Sequence, residues 1–131
     1  MKSLETKKQI GEYGEKIAVR HLRLHGYTVK ERNWRTGHME LDIIASSFRE
    51  IVFAEVKTRT YTSDTILTAP PPGHAVDAEK QRLTRRAARQ YLYEHPTKKR
   101  PRMDVIEIWL LKDTETSKIK VARIHHIKAA Y

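Results

Sequence analysis

The sequence predicts an α+β fold with an α/β-type core, in which a mixed central sheet is flanked by two helices. Three observations lead there. Two short runs rich in Ile, Val and Phe, at 40–45 and 51–57, are separated by a polar interval too short for a parallel crossover, so they form an antiparallel hairpin. Two segments repeat their apolar residues at helical spacing, one before that hairpin and one well after it. Two more alternating segments follow the second helix, so the order is helix, three strands, loop, helix, two strands, in one domain over 1–131.

The first helix spans residues 6–25. Ile10, Tyr13, Gly14, Ile17, Ala18, His21 and Leu22 recur three or four apart, and Gly26 supplies a stop. Residues 27–35 mix Tyr, Val and Trp with charges and read as a strand, closed by a turn at Thr36-Gly37-His38. After the hairpin, residues 59–76 carry Pro70-Pro71-Pro72-Gly73 and few large apolar side chains, which predicts a mobile loop that can gate or contact a substrate, or be slack linker. The second helix spans 77–94, with Asp77 as its cap and Leu83, Ala87, Ala88, Tyr91 and Leu92 as its stripe. Residues 103–111 and 119–127 alternate as strands around a polar turn.

The hairpin carries an anomaly. Pairing Ile44 with Phe53 and Ser46 with Ile51 leaves a four-residue loop and brings Asp42, Glu55 and Lys57 to one side of the sheet. A slip of one residue would separate the two acids, so the inference depends on register. Ions beside Ile44 and Phe53 violate the apolar pattern of a buried strand, and such violations concentrate at functional sites.

Composition narrows the partners. The chain has 26 Lys plus Arg against 16 Asp plus Glu, a formal net charge of +10, and no cysteine. Thiolate metal sites and a Cys nucleophile are therefore excluded. No apolar run approaches a membrane span and the first nine residues hold no apolar secretory segment, so the expectation is a soluble cytoplasmic protein. The charge excess suits nucleic acid. Between Lys80 and Arg102 stand nine Lys or Arg and one acid, Glu94. Arg59, Arg82, Arg85, Arg86, Arg89, Lys98, Lys99 and Arg100 are the candidate phosphate contacts, with a solvated basic surface as the plain alternative.

Two carboxylates on adjacent strands, with the Val56 carbonyl as a third oxygen, can hold Mg²⁺ or Mn²⁺. A lysine two residues past Glu55 can face the charge developing on a phosphate. Spacing alone leaves a second reading open, an ordinary cross-strand ion pair at a sheet edge. Glu15, at the margin of the first helix's stripe, faces either the sheet or solvent. Lys80 falls on the second helix's buried stripe near its start.

The residues Leu41-Asp42 and Glu55-Val56-Lys57 resemble the PD-(D/E)xK signature of metal-dependent nucleases, with Leu41 where that motif has proline. Gly11-Glu12-Tyr13-Gly14-Glu15, Gly26-Tyr27, Asn33-Trp34-Arg35, Glu40-Leu41-Asp42, Phe53-Ala54-Glu55-Val56-Lys57-Thr58-Arg59, Lys80-Gln81-Arg82-Leu83 and Arg102-Met103-Asp104-Val105 widen the match. In this order, over most of the chain, they resemble the bacterial YraN-like family, an endonuclease-like group related to archaeal Holliday-junction resolvases. The resemblance implies a restriction-endonuclease-like αβββαβ core. It implies Asp42 and Glu55 as metal ligands, Lys57 as the catalytic lysine, Glu15 as a further carboxylate of the metal site, and Lys80 as a second-helix lysine facing it. Glu40 is a further candidate, or a partner for a nearby Arg. One departure is visible: Gly37-His38-Met39 precedes Glu40, where many members place glycine directly before that glutamate.

Other constellations are weaker. His21 and His25 stand four apart without a third ligand, which favours a structural role. Trp34 and Trp109 can stack on bases, but core packing is the default for strand aromatics. The functional expectation is a metal-dependent endonuclease acting on DNA, plausibly branched or flap structures. The alternatives are a non-catalytic nucleic-acid-binding module and, less favoured, a protein–protein adaptor. Junction resolvases act as symmetric homodimers on matching arms, but no interface signature stands out in this chain.

Overall fold

In the computed structural model, which describes residues 2–3, 6–72 and 76–131, Thr6 and Gln9 open the first helix together. The Gln9 backbone N–H donates to Thr6 Oγ1 and the Thr6 N–H to Gln9 Oε1, both at 3.1 Å. This reciprocal cap satisfies two amides that helix geometry leaves without partners. The helix, α1, runs Lys7–Leu24. It stops at Gly26, whose φ of +87° costs a residue without Cβ little.

Among the described residues six strands form one sheet: β1 (Lys2–Ser3), β2 (Thr28–Thr36), β3 (Met39–Ser46), β4 (Glu50–Tyr61), β5 (Arg100–Lys112) and β6 (Lys118–Ile127). Their spatial order is β1-β6-β5-β4-β3-β2. Of these pairs β4 and β5 run parallel and the others antiparallel, and a parallel pair requires a long crossover. That crossover contains α2 (Ala78–Glu94), capped by Asp77, whose Oδ1 accepts from the Lys80 N–H at 2.8 Å. Leaving out β1, the order is the restriction-endonuclease-like αβββαβ core with a further strand after it. No helix among the described residues is long and apolar enough to cross a membrane.

The two helices lie on opposite faces because β4 alternates. Val52 and Ala54 join Ile43, Ala45, Ile106 and Ile108 against Ala18, Val19 and Leu22 of α1. Ile51 and Phe53 join Ile44 and Met103 against Ala87, Ala88 and Tyr91 of α2. A strand buried on both faces reads as a continuous apolar run, as residues 51–54 do.

Contact between α1 and β4 is closest at Gly14. A Cβ there would stand 1.8 Å from Thr58 Oγ1 and 2.9 Å from Thr58 Cβ. Rotating the threonine relieves the first clash but not the second. Gly14→Ala is therefore expected to destabilise the chain by about 2–3 kcal/mol. Urea denaturation measures this, and adding Thr58→Ala should recover part of the loss.

A polar network closes the other end of the sheet. Asp104, fully buried, accepts from Arg102 Nε (2.8 Å) and Nη2 (2.7 Å), from the Ala129 N–H (3.0 Å), and pairs with His126 Nε2 at 2.6 Å. Arg102 also donates to Glu50 (2.8 Å) and to the Tyr27 hydroxyl (2.7 Å). His126 continues to His21 at 3.2 Å, and the His21 and His25 rings meet at a tilt of 33° with centroids 4.2 Å apart. Burial, followed by His25, His126 and Lys128, lowers the His21 pKa to about 4. The structural reading of the histidine pair agrees with this placement.

The fold departs from the expected elements in three places. The loop expected over 59–76 begins at Thr62, because β4 continues to Tyr61 along an unbroken parallel register from Glu50↔Arg100 to Tyr61↔Leu111. It contains a 3₁₀ turn at Thr65–Thr68, and its residues 73–75, with Pro72's neighbour Gly73, lie outside the described residues, as do Met1, Leu4 and Glu5 of the N-terminal segment. The fifth strand begins at Arg100 rather than 103, so Arg100 and Arg102 belong to the sheet and not to a basic loop. Strand β1 was not expected, since two polar residues carry no periodic signal.

Candidate active site

The β3–β4 ladder has the expected register, with Ile44↔Phe53 and Ser46↔Ile51, and its last pair is Ile43↔Ala54. One residue further the strands part, and the Asp42 side chain takes the place of backbone. Its Oδ2 accepts the Val56 N–H at 2.8 Å. The partner strand is irregular at the same level. Asn33 takes φ +53° between the pairs Arg32↔Ile43 and Trp34↔Leu41, opposite Asp42. Asparagine tolerates this conformation better than most residues.

Around that opening lies a hollow of about 560 Å³, lined by Glu15, Asp42, Glu55, Val56 and Lys57, with Lys7, Ile10, Gly11, Thr58 and Thr60. Four of the predicted site residues and Val56 therefore share one space. Glu55 is 7% exposed, and its Oε1 lies 3.6 Å from Lys57 Nζ and 3.5 Å from Lys80 Nζ. Both distances exceed a good hydrogen bond, so these are ion pairs at Coulombic range. Lys80 sits in the first turn of α2, where a cation opposes the helix dipole. Its tolerated position is explained by Glu55 in front of it, and its ammonium adds positive charge beside that carboxylate.

The carboxylates are held against their preference. Burial raises the Asp42 pKa from 3.8 to about 7. Glu55 and Glu15 add to the rise, while the Val56 N–H and Lys80 oppose it. Glu15 is also raised, first by burial, and is bonded to the Asn33 side chain, with Arg32 opposing and Glu40 reinforcing the shift. Among the described residues, no three His, Cys, Asp or Glu are drawn together at metal-ligand spacing. The donor set is nonetheless all hard oxygen, which matches Mg²⁺ or Mn²⁺ rather than zinc. A cation at Asp42 and Glu55 would relieve the repulsion that raises Asp42.

Elsewhere the predicted residues disperse. Glu40 pairs with Arg35 at 2.8 Å, the plainer of its two readings. Arg59 Nε is held by buried Glu107 at 3.1 Å, beneath a half-exposed side chain. Arg82 is engaged by Glu79 through two hydrogen bonds of 3.1 and 2.7 Å. Arg85 lies over the Tyr131 ring at 5.3 Å, Arg86 lines a hollow beside Gly37 and His38, and Arg89 is exposed. Lys98, Lys99 and Arg100 gather at the far end of β4 with Arg49 and Phe48. Trp34 packs edge-on to Tyr91, and Trp109 is 7% exposed. A larger hollow, about 890 Å³, lies beside α1 at Val121 and Ile124, but no carboxylate lines it.

Sequence reasoning missed two side chains. Asn33 stood within a quoted motif but had no role, and positive φ leaves no periodic mark. The Tyr131 hydroxyl meets Thr84 Oγ1 at 2.7 Å, and Thr84 in turn donates to the Lys80 carbonyl at 2.9 Å. Burial raises the Tyr131 pKa, and Glu55 and Asp42 contribute to the rise. No signal in the sequence ties residue 131 to this end of α2.

A profile of the uncharacterised protein family UPF0102 matches residues 14–108, a span that contains Glu15, Asp42, Glu55, Lys57 and Lys80. The chain belongs to that family. It is the YraN-like family that the motifs resemble. A UPF0102 protein of Porphyromonas gingivalis is 43% identical over 110 residues, 84% of this chain and 78% of its own length. A UPF0102 protein of Bacteroides thetaiotaomicron is 40% identical over 123 residues, 94% of this chain and 92% of its own. One from Caldanaerobacter subterraneus is 36% identical over 126 residues, covering 95% and 96%.

Proposed function

We propose that this UPF0102 protein is a metal-dependent endonuclease that hydrolyses phosphodiester bonds in DNA, with branched or flap structures as its substrates. The observation that carries this reading is the joining of Asp42, Glu55, Val56 and Lys57 around one hollow where β3 and β4 part. Asp42 and Glu55 would hold Mg²⁺ or Mn²⁺ with the Val56 carbonyl, and Glu15 would contribute from α1. When bound, the ion supplies Lewis-acid charge to the phosphoryl group. Lys57 orients the attacking water and faces the charge that develops as water adds to phosphorus and one ester bond breaks. Lys80, whose ammonium reaches Glu55, holds the adjoining phosphate. The net charge of +10 and the arginines of α2 give affinity without sequence information.

The test is cleavage of single-stranded, duplex, flap and four-way-junction DNA in Mg²⁺, Mn²⁺ or EDTA. Cutting should require metal. Asp42→Asn should abolish it while DNA binding persists, and Lys57→Ala should lower it by about 10²–10³-fold. Undiminished cleavage by Asp42→Asn would remove the ligand role. A second reading, a binding module that retains the nuclease fold, has one observation in its favour: the ammoniums of Lys57 and Lys80 flank Glu55 at 3.6 and 3.5 Å and can balance its charge as a structural ion-pair cluster. It predicts salt-dependent binding and no hydrolysis in any metal.

A further inference from the structure

At the end of β4 away from the carboxylates, the hairpin loop presents Phe48 with its side chain almost wholly in solvent, 91% exposed. This exposure is not slack. The Ser47 N–H donates to the Glu50 carbonyl at 2.9 Å and the Glu50 N–H to Ser47 Oγ at 3.3 Å, closing the turn beneath the ring. The Arg100 N–H donates to the Arg49 carbonyl at 2.9 Å, locking this loop to the first residue of β5. Phe48, Arg49, Lys98, Lys99 and Arg100 line a shared open hollow of about 400 Å³. The nearest acid along the chain, Glu50, is bound to Arg102. An aromatic ring held out among four cations matches a polyanion with exposed flat faces.

We infer that this corner is a subsite for an unpaired nucleic-acid strand: Phe48 stacks on a base and Arg49, Lys98, Lys99 and Arg100 contact the flanking phosphates. Stacking selects single strands, because a duplex keeps its base faces inside. Glu50, where β4 leaves this corner, stands five residues before Glu55, about 17 Å at 3.3 Å per residue. Helix α2 bridges the same interval. Its first turn meets Glu55 through Lys80, its last leads to Lys98, and the exposed Arg85, Arg86 and Arg89 lie between. Stacking at Phe48 requires no catalysis, but its use to anchor an unpaired arm of a cleaved substrate rests on the nuclease reading above.

The experiment is fluorescence anisotropy in EDTA, with a labelled oligothymidylate and a blunt duplex of equal length. Phe48→Ala should weaken oligothymidylate binding about tenfold, the size of one base–aromatic stack, and leave the duplex unchanged. Phe48→Trp should bind at least as tightly as wild type and lose indole emission on binding. Lys98→Ala with Lys99→Ala should weaken both ligands and reduce the slope of log affinity against log salt by roughly 1.5. The subsite is overturned if wild type does not bind oligothymidylate, or if Phe48→Ala leaves that affinity intact or weakens the duplex equally. Loss of stacking at Phe48 in a protein that cuts no DNA would keep the subsite and remove the nuclease. Metal-dependent cutting with Phe48→Ala silent in the binding assay would do the reverse.

Discussion

In EDTA at pH 8, Asp42→Asn is expected to be more stable than the wild type, although it removes a residue proposed to be indispensable for cleavage. The Asp42 pKa is 3.8 in ordinary surroundings and about 7 in the fold, where burial and Glu55 are its main causes. Between those values the folded chain holds a proton that the unfolded chain releases. The folded state therefore has its full stability below about pH 4 and loses it as pH rises through 7. At 1.36 kcal/mol per pH unit, the loss is up to about 4 kcal/mol. Asparagine keeps an oxygen for the Val56 N–H and has no charge to suppress. Denaturation of both proteins from pH 4 to pH 9 should show a difference near zero at the acid end and largest above pH 8. A difference independent of pH would mean that the carboxyl is not perturbed. His21 acts in the opposite sense, since a lowered pKa gives stability above 6.5 that fades as pH falls toward 4. The wild-type curve should therefore be flatter than that of the variant. On the metal reading, Mg²⁺ restores stability to the wild type by mass action and does nothing for Asp42→Asn.

The second large effect is expected at Arg102, far from the hollow. Arg102→Leu leaves Asp104 buried without its guanidinium and frees Glu50 and the Tyr27 hydroxyl from their donor. Breaking a buried pair from one side costs about 3–5 kcal/mol, which for a chain of this length lowers the melting temperature on the order of 10 °C. Burial alone would raise the Asp104 pKa, but His126, Arg102 and the Ala129 N–H together hold it below its ordinary 3.8. The wild type therefore loses this contribution as pH falls through that range. In the variant the carboxyl has lost two guanidinium hydrogen bonds and protonates more readily, so the gap between the two proteins should narrow on acidification. Thermal melts at pH 7 and below pH 4 measure both statements.

Much of this was legible because the hairpin is written in alternation. Ile44 and Phe53 face one helix and Val52 and Ala54 the other, so a shifted register would have put Asp42 and Glu55 apart. Lys80 was legible for a related reason, as a cation on an apolar stripe. The extent of β4 was not. Thr58, Arg59 and Thr60 look like loop residues, and their strand character comes from Ile108, Trp109 and Leu110 of β5, fifty residues on. Arg102 was hidden by its neighbours, since Lys98, Lys99 and Arg100 gave the segment the look of a solvated run. Its buried partner stands two residues further along the same strand. The backbone turn at Asn33 and the contact of Tyr131 with Thr84 arise from tertiary packing, which leaves no local pattern.

The replacement of a ladder hydrogen bond by the Asp42 carboxylate makes the Val56 amide a built-in reporter. Its proton is held by a side chain whose charge changes near neutral pH, whereas its neighbours in β4 are held by backbone carbonyls. The nitrogen and proton resonances of Val56 should move with the ionisation of Asp42 and with any cation placed there. Its exchange with solvent should follow local opening between β3 and β4 rather than unfolding of the whole sheet. A single cross-peak would then read the occupancy of the candidate site without a substrate in the tube.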